Sequence, residues 1–340
     1  MFKVYANTPE DCGPDRIAAL ASRAEAIGFD GLNVPDALHD GLLLSALALN
    51  ATSRLTVGTG VLVAFPRSPM VVAIAAWDLQ RMSAGRFELG LGTQVKANIE
   101  ERYSTRWTAP MPRMRDYVES LRAIFDSFQN NAPLNLVNDN YRFTRLQPFF
   151  NPGPLSCALP PIFIGAVGPL MTRLAGEAAD GMITHPTNTP ADYIRQVTLP
   201  RLQAGLEKSA RHAADIRLLL GNFVATGRNQ AIVAREREKY RKLLGFLFST
   251  PAYWPSLELF GWQERGERLR DCSRNNDWAT MADLVNDDML DTFVPSGVYD
   301  DISDILKHRY QGIHATINFP IPDDPADDGL ASKAIQALQE

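Results

Sequence analysis

One stretch of the chain, residues 55–98, restricts the possible folds more than any other. Residues 55–61 form a short apolar run typical of a buried strand, and residues 69–82 have the length and alanine content of a helix, with Pro69 suited to its first turn. Residues 86–91 form a second strand of the buried type. Two strands joined by one helix of this length predict a parallel βαβ unit with a right-handed crossover. In α/β proteins, ligands bind at the edge where such strands end.

The same alternation of strand and helix continues along the chain. Apolar runs predict further strands at 2–6, 29–34, 162–166, 181–185, 216–225 and 315–319. Eight strands, each followed by a helical pattern, favour a single (β/α)8 TIM barrel over residues 1–340 rather than a doubly wound sheet.

Two stretches interrupt this alternation and predict insertions into the barrel. The first, at about 133–161, suggests a small hairpin that turns at 138–140, followed by a connector rich in Pro and Gly. The second, at about 250–295, reads as an irregular segment rich in Trp and Tyr. The charged helix predicted at 230–248 precedes this segment and fits the barrel alternation.

Composition narrows the class of protein and of partner. The chain is 45% apolar and 21% charged, which is ordinary for a globular domain with a full core. Its formal net charge is −5 and its basic residues are scattered, so the sequence predicts neither a nucleic-acid nor a membrane partner. Three widely spaced cysteines, Cys12, Cys157 and Cys272, predict no disulfide framework and no zinc site. Without a signal pattern or a long apolar run, we expect a cytoplasmic protein with free thiols.

Residues that follow the predicted strands are the candidates for a functional site, because the parallel strands of a barrel all end at one rim. In chain order the candidates are Asp36, Gly60, Val61, Thr93, Asn98, Gly165, Ala166, Val167, Gly168 and His185. Positions from distant parts of the chain would therefore face one cavity.

Each candidate also has an ordinary structural interpretation. Gly165 and Gly168 lie between a strand and a helix, where backbone amides bind phosphate, but they would equally make a tight turn. His185 is as consistent with a structural histidine as with a contact to substrate or cofactor. Asp36 would serve as a helix cap or as a cofactor contact. The aromatic residues of 253–262 would line an apolar substrate pocket or pack the second insertion onto the barrel.

Common catalytic motifs are absent from the sequence. It contains no GxSxG nucleophile elbow, no HExxH zinc motif and no P-loop, and no carboxylate pair stands out. The chemistry would then come from a bound cofactor rather than from a side-chain nucleophile or a metal.

Five stretches of the chain carry a resemblance to a known family. In order they read AEAIGFDGLNVPD, RLTVGTGVLV, AAWDLQRMSAGRFELGLGTQ, PRMRDYVESLRAIF and PPIFIGAVGPLMTRLAGEAADGMI. Together they resemble the bacterial luciferase-like flavin monooxygenase superfamily, and within it the branch that uses the deazaflavin coenzyme F420. The resemblance implies a (β/α)8 barrel with a flavin or deazaflavin at the carboxyl ends of the strands. It also implies a non-prolyl cis peptide at Gly60–Val61, behind the cofactor ring.

The resemblance further implies roles for individual residues. Asp36 matches a position near the deazaflavin ring, where we expect it to act in binding and in catalysis. Asn98 matches a position that hydrogen-bonds the polar edge or the side chain of the cofactor. The segment from Gly165 to Gly168 matches the one that surrounds the cofactor's phosphate.

Two positions depart from one group within this branch. The sugar-phosphate dehydrogenases carry a histidine after the Asp36 position and a glutamate near position 95, where this chain has Ala37 and Val95. The departure argues against a sugar-phosphate reaction and leaves His185 as the substitute candidate for the proton donor.

The leading interpretation is an oxidoreductase that moves a hydride between F420 and a small organic substrate. A reduced-FMN-dependent monooxygenase that uses dioxygen on the same barrel is the first alternative, and a non-catalytic flavin-binding protein is the second. From the resemblance we also expect a homodimer or a homotetramer.

Overall fold

Eight short runs of buried apolar residues form the parallel strands of a closed barrel in the computed structural model, which describes residues 1–9 and 11–340. The strands are β1 (Lys3–Asn7), β2 (Gly31–Val34), β3 (Thr56–Thr59, resumed at Leu62–Val63), β4 (Phe87–Gly92), β5 (Ile162–Ala166), β6 (Gly181–Thr184), β7 (Arg217–Leu220) and β8 (Thr316–Phe319). Each strand pairs with its neighbours in sequence, and β1 pairs with β8, with Val4 opposite Ile317, to close the ring. The predicted (β/α)8 TIM barrel is therefore confirmed.

A ring of helices covers the outside of the barrel. These are α1 (Ile17–Ile27), α2 (Gly41–Asn50), α3 (Pro69–Met82), α4 (Pro110–Asn130), α5 (Pro169–Ala178), α6 (Leu199–Lys208), α7 (Tyr299–Arg309) and α8 (Asp328–Gln339). Local sequence sets their ends. The Ser68 hydroxyl accepts a hydrogen bond from the Met70 N–H at the start of α3, and α1 ends at Gly28, whose φ of 109° is accessible to glycine without steric conflict.

A layer of large side chains closes the barrel at the end where the strands begin. Gly31 faces the Tyr5 ring so closely that a Cβ on the glycine would overlap it. The Glu88 carboxylate accepts hydrogen bonds from Arg217 at 2.6 Å and from the Tyr5 hydroxyl at 3.3 Å, and the Arg217 guanidinium lies 4.6 Å above the Phe163 ring. This layer forms a floor, so any ligand must enter from the opposite rim.

The first insertion joins α4 to β5. Its strands Leu136–Val137 and Arg142–Phe143 pair antiparallel around the turn at 138–140. The predicted hairpin is therefore present, and the Pro/Gly-rich connector follows it along the surface of α3 and α4, where Arg81 donates to the Pro152 and Gly153 carbonyls.

The second insertion is longer than the predicted 250–295. It begins and ends at two short parallel strands, Ala225–Gly227 and Ser296–Val298, which lie side by side. Between them are the helices Gln230–Phe248, Pro255–Leu259, Gln263–Arg274, Trp278–Leu284 and Asp287–Phe293. Their buried side chains, Leu244, Phe248 and Phe293 among them, form a second apolar core separate from that of the barrel.

Three predictions about this region are wrong. The predicted strand 216–225 ends at Leu220, because the chain leaves the barrel at Gly221 and Asn222. Residues 250–295 are mostly helical rather than irregular, and the helix Gln230–Phe248 belongs to the insertion rather than to the barrel ring.

No helix within residues 1–9 and 11–340 has the length and apolar content required to cross a membrane. Across the same described ranges, no group of three or more His, Cys, Asp or Glu side chains is arranged to hold a metal ion.

Candidate functional site

The rim where β2 to β6 end carries all of the predicted site positions. Hydrogen bonds join neighbouring loops along it. The Arg102 guanidinium donates to the Ala37 carbonyl at 2.7 Å, and the Asn188 carboxamide donates to the Ala166 carbonyl at 3.1 Å. The candidates therefore lie on one continuous arc of the rim, from the loop after β2 to the loop after β6.

Val61 occupies a space between two glycines on neighbouring strands. The Gly60–Val61 peptide bond is cis, as the resemblance implied. A Cβ on Gly165 would lie 2.9 Å from Cγ1 of Val61, and one on Gly92 would overlap Cγ2. The Val61 side chain therefore fits only because both glycines lack a Cβ, and it packs the ends of β3, β4 and β5 against one another.

Asp36 joins the loop after β2 to the loop after β3. Its Oδ2 accepts hydrogen bonds from the Val63 N–H at 2.9 Å and from Arg67 at 2.7 Å, and its Oδ1 accepts from the Gly41 N–H at 3.1 Å and from Arg67 at 3.2 Å. The side chain is only 5% exposed. With both oxygens engaged, the geometry favours a positioning role for Asp36 over the catalytic role predicted for it. The cap of α2 is Asp40, whose carboxylate accepts from the first turn of that helix.

The segment Gly165 to Gly168 connects β5 to α5. Gly168 is the residue before the helix and has no side chain to accept a hydrogen bond from the first turn. Because Pro169 has no N–H, the first-turn donors without an intrahelical acceptor are the N–H groups of Leu170 and Met171. A Cβ built on Gly168 would meet no atom within 4 Å, so the space beside these donors is open. An uncapped helix start that faces open space is an arrangement that binds anions.

Thr93 and Asn98 belong to the loop after β4, which Gln94 orders. Gln94 has a φ of 59°, and its Oε1 accepts from the Val95 N–H at 2.8 Å and from the Asn98 amide at 3.1 Å. Asn98 begins a π-helical turn, Asn98–Arg102. Within the described chain, no hydrogen bond is made to Oδ1 of Asn98, which leaves this oxygen as an acceptor on the rim.

His185 follows β6, in phase with Ile183, whose side chain points into the barrel against Gly90. Its ring stacks on Tyr253 of the second insertion, with centroids 4.3 Å apart and planes 8° from parallel. Nδ1 lies 2.8 Å from the Thr187 hydroxyl and accepts the Thr187 N–H at 3.4 Å. Because a backbone N–H only donates, the neutral ring carries its proton on Nε2. Burial lowers the pKa of His185 to about 4, so at pH 7 the ring is a neutral N–H donor.

Sequence reasoning missed a cluster of asparagines at the ends of the remaining strands. The Asn33 amide donates to Oδ1 of Asn318 at 2.8 Å and to Oδ1 of Asn7 at 3.3 Å. Asn222 bonds both backbone groups of Asn318, accepting from its N–H at 2.9 Å and donating to its carbonyl at 3.0 Å. Asn7 ends β1, and Asn33 and Asn318 are each the second-to-last residue of β2 and β8, so a polar residue near the end of each apolar run is a readable signal. The contacts themselves join residues 285 positions apart, and no local pattern reveals them.

Asn7, Asn222 and Asn318 line a cavity of about 440 Å³. It lies between the ends of β1, β7 and β8 and the helix Gln230–Phe248 of the second insertion. A Cβ on Gly60 would lie 3.2 Å from Cβ of Asn33, which donates to the lining residues Asn7 and Asn318, so one side chain separates the end of β3 from the cavity wall. The predicted arc and this unpredicted cavity are therefore neighbours on one rim.

Comparisons with known proteins agree with this architecture. A family model described as luciferase-like monooxygenase matches residues 3–316. An uncharacterized protein of Mycobacterium tuberculosis is 39% identical over 303 residues, which cover 88% of this chain and 89% of the relative. A 5,10-methylenetetrahydromethanopterin reductase of Archaeoglobus fulgidus is 30% identical over 290 residues, which cover 82% of this chain and 81% of the relative.

Solved structures share the fold at lower identity. The coenzyme F420-dependent tetrahydromethanopterin reductase of Methanopyrus kandleri has a TM-score of 0.78 and 19% identity, with 100% of this chain and 97% of that chain covered. The oxygenating constituent of a diketocamphane monooxygenase of Pseudomonas putida, in complex with FMN, has a TM-score of 0.64 and 14% identity, with 100% and 97% covered. At these identities the likeness shows the barrel alone.

Proposed function

The chain belongs to the luciferase-like monooxygenase family, and we propose that within it the protein is an oxidoreductase that transfers a hydride between the deazaflavin coenzyme F420 and an organic substrate. The Archaeoglobus fulgidus relative is named as a reductase of an organic substrate, and the name of the Methanopyrus kandleri structure includes coenzyme F420. These names support both the type of reaction and the choice of cofactor.

The observation that carries the proposal is the uncapped start of α5. A phosphate of the cofactor would accept hydrogen bonds from the N–H groups of Leu170 and Met171, beside the open space at Gly168. The Asn188 carboxamide holds the preceding loop through the Ala166 carbonyl. The residues present therefore fit a phosphate-bearing cofactor.

The rest of the arc would hold the ring. Val61 would support it with an apolar side chain fixed between Gly92 and Gly165, and Asn98 would accept a hydrogen bond from its polar edge through Oδ1. When bound, F420 supplies the two-electron chemistry, while the protein supplies binding and orientation. Asp36 contributes indirectly, because it fixes the loops after β2 and β3 through Arg67.

His185 is the proposed donor to the reacting substrate. Its contacts with Tyr253 and Thr187 restrict the orientation of the ring, and its tautomer places a proton on Nε2. Low pKa keeps the ring neutral, so His185 would polarise a substrate oxygen as a hydrogen-bond donor without adding a charge to the site. Ala37 and Val95 supply no competing titratable group.

Titration of the purified protein with F420 and with FMN, followed by quenching of the cofactor fluorescence, tests the proposal. We expect saturable binding of F420 that is at least tenfold tighter than that of FMN. Binding of FMN without binding of F420 would replace the proposal by the reduced-FMN-dependent monooxygenase. F420 that binds but exchanges no hydride with any member of a library of ketones, alcohols and enones would favour the non-catalytic flavin-binding protein.

A further inference from the structure

The cavity lined by the asparagines has the size and position of a ligand site. Its volume of about 440 Å³ lies in the range of small-molecule pockets. It opens at the rim where the strands end, opposite the floor formed by Tyr5 and Glu88. None of the residues predicted from the sequence lines it.

Two carboxamide groups of this cavity have unused donors. Because Oδ1 of Asn318 and Oδ1 of Asn7 both accept hydrogen bonds from Asn33, their NH2 groups point away from Asn33. Among the described residues, neither NH2 group donates a hydrogen bond to the protein. Asn318 is only 4% exposed, and Asn222 fixes its backbone from both sides. The cavity therefore contains the NH2 donor of Asn318, oriented and without a partner in the described protein, next to a second donor on Asn7.

Two hydroxyl groups in the same wall are also unpaired. Thr8 and Thr226 line the cavity, each is 5% exposed, and the hydroxyl of each has no hydrogen-bond partner in the described structure. A rotation about χ1 would change the direction of either hydroxyl and turn a further donor towards a ligand.

The charges around the cavity do not favour an anion. Its basic side chains are each paired with carboxylates: Arg228 with Asp324 and Asp327, Arg235 with Glu236 and Asp323, and Lys239 with Glu236. A carboxylate or phosphate entering the cavity would find acidic groups and no unpaired cation among the described lining residues. A neutral acceptor meets no such penalty.

One wall of the cavity is aromatic. Phe223 stacks on Tyr240 of the helix Gln230–Phe248, with ring centroids 4.6 Å apart and planes 25° from parallel. Ile321 also lines the cavity, from the loop after β8. These side chains provide the apolar surface that the body of an organic molecule requires.

We propose that this cavity is a substrate subsite for a part of the molecule away from the oxygen that His185 would polarise, and that it takes a neutral group with a carbonyl oxygen held by the amide groups of Asn7 and Asn318 and an apolar body packed on Phe223. The substrate role rests on the proposed function, because Asn33, which donates to the lining residues Asn7 and Asn318, lies against Gly60, where the cofactor ring would lie. The recognition of a neutral carbonyl rests on the cavity's own residues.

Three naphthalene probes of similar size test this recognition. Acetylnaphthalene carries a neutral carbonyl, naphthoate carries a carboxylate, and ethylnaphthalene carries no acceptor. Their dissociation constants would be measured by saturation-transfer NMR for the wild type and for the variants Asn7→Asp and Asn318→Asp. Aspartate keeps the oxygen that accepts from Asn33 and replaces the free NH2 donor by a second oxygen.

We expect the wild type to bind acetylnaphthalene more tightly than either other probe. Each variant should bind acetylnaphthalene at least tenfold more weakly than the wild type does, and should bind ethylnaphthalene as the wild type does. The proposal is overturned if acetylnaphthalene does not bind the wild type, if naphthoate binds more tightly, or if both variants bind acetylnaphthalene like the wild type. If circular dichroism shows that Asn318→Asp does not fold, the exposed Asn7→Asp decides the outcome alone.

A parallel titration with F420 separates this proposal from the proposed function. Both variants are expected to bind F420 within twofold of the wild type, because Asn7 and Asn318 lie away from the start of α5. Failure of the wild type to bind F420 would refute the proposed function, whereas the probe affinities would still decide whether the cavity recognises a neutral carbonyl.

Discussion

Replacement of Gly168 by aspartate provides the sharpest test of the phosphate site. Gly168 has φ −81° and ψ 162°, the extended conformation of a capping residue, and a Cβ there meets no atom within 4 Å. An aspartate side chain would therefore accept hydrogen bonds from the N–H groups of Leu170 and Met171, which are the donors assigned to the phosphate. Asparagine at the same position would also cap the helix, but without a charge, and is the matched control.

Coulomb's law gives the expected loss of cofactor affinity in Gly168→Asp. A carboxylate and a phosphate that compete for the same two N–H groups would lie about 5 Å apart, and at an effective dielectric constant of about 20 their repulsion is about 3 kcal/mol. That energy corresponds to a loss of cofactor affinity of about a hundredfold for Gly168→Asp. The stability of α5 should rise by a few tenths of a kcal/mol in both variants, because both side chains cap it better than glycine.

The assay is the fluorescence titration with F420 and with FMN, accompanied by thermal denaturation of each variant. We expect Gly168→Asp to weaken the binding of either cofactor about a hundredfold, and Gly168→Asn to weaken it less than tenfold. Equal affinities of the aspartate and asparagine variants would show that no phosphate binds at the start of α5, and the carrying observation of the proposed function would be lost.

Three further predictions concern the loops, the floor and the pH dependence of the barrel. Asp36→Asn should lower the free energy of unfolding, measured by urea denaturation, by about 3 kcal/mol, because it leaves Arg67 without its buried partner. The control Asp40→Asn removes an exposed partner of Arg67 and keeps the helix cap, so it should lower the free energy of unfolding by less than about 1 kcal/mol. Similar losses in the two variants would contradict the role assigned to Asp36. Gly31→Ala should destabilise the barrel by about 1–3 kcal/mol through overlap with the Tyr5 ring, and Tyr5→Leu in the same chain should recover part of that loss in a double-mutant cycle. The pKa of His185 is lowered to about 4 from an ordinary value of 6.5, so the unfolded chain binds the proton first as the pH falls. The free energy of unfolding of the wild type should therefore fall by about 2 kcal/mol between pH 7 and pH 5, and that of His185→Gln should not show this loss. Parallel pH profiles of stability for the two proteins would refute the lowered pKa.

The parts of the fold that local sequence encodes were predicted closely. The bounds of α3 match the predicted 69–82, because Ser68 and Pro69 start this helix. Strand ends were also readable, since glycine and polar residues replace apolar ones there. The arrangement of site positions around the rim then follows from the barrel alone.

Features that depend on contacts between distant residues were not predictable in the same way. In residues 216–225 the apolar residues resume at Phe223, after Gly221 and Asn222, so the predicted strand continued past Leu220, where the chain leaves the barrel. The catalytic role expected for Asp36 came from the family resemblance, and only the structure reveals that both of its carboxylate oxygens bind the Arg67 guanidinium. The carboxamide cluster around Asn33 was missed for the same reason.

The two short parallel strands at Ala225–Gly227 and Ser296–Val298 have a consequence for how such a protein diversifies. Because the two ends of the second insertion lie side by side, its length and sequence can change without a change in the register of the barrel strands. The insertion helix Gln230–Phe248 borders the cavity, and the apolar core of the insertion is separate from that of the barrel. Evolution can therefore exchange or rebuild this module, and with it one side of the cavity, while the strands that would hold the cofactor stay unaltered.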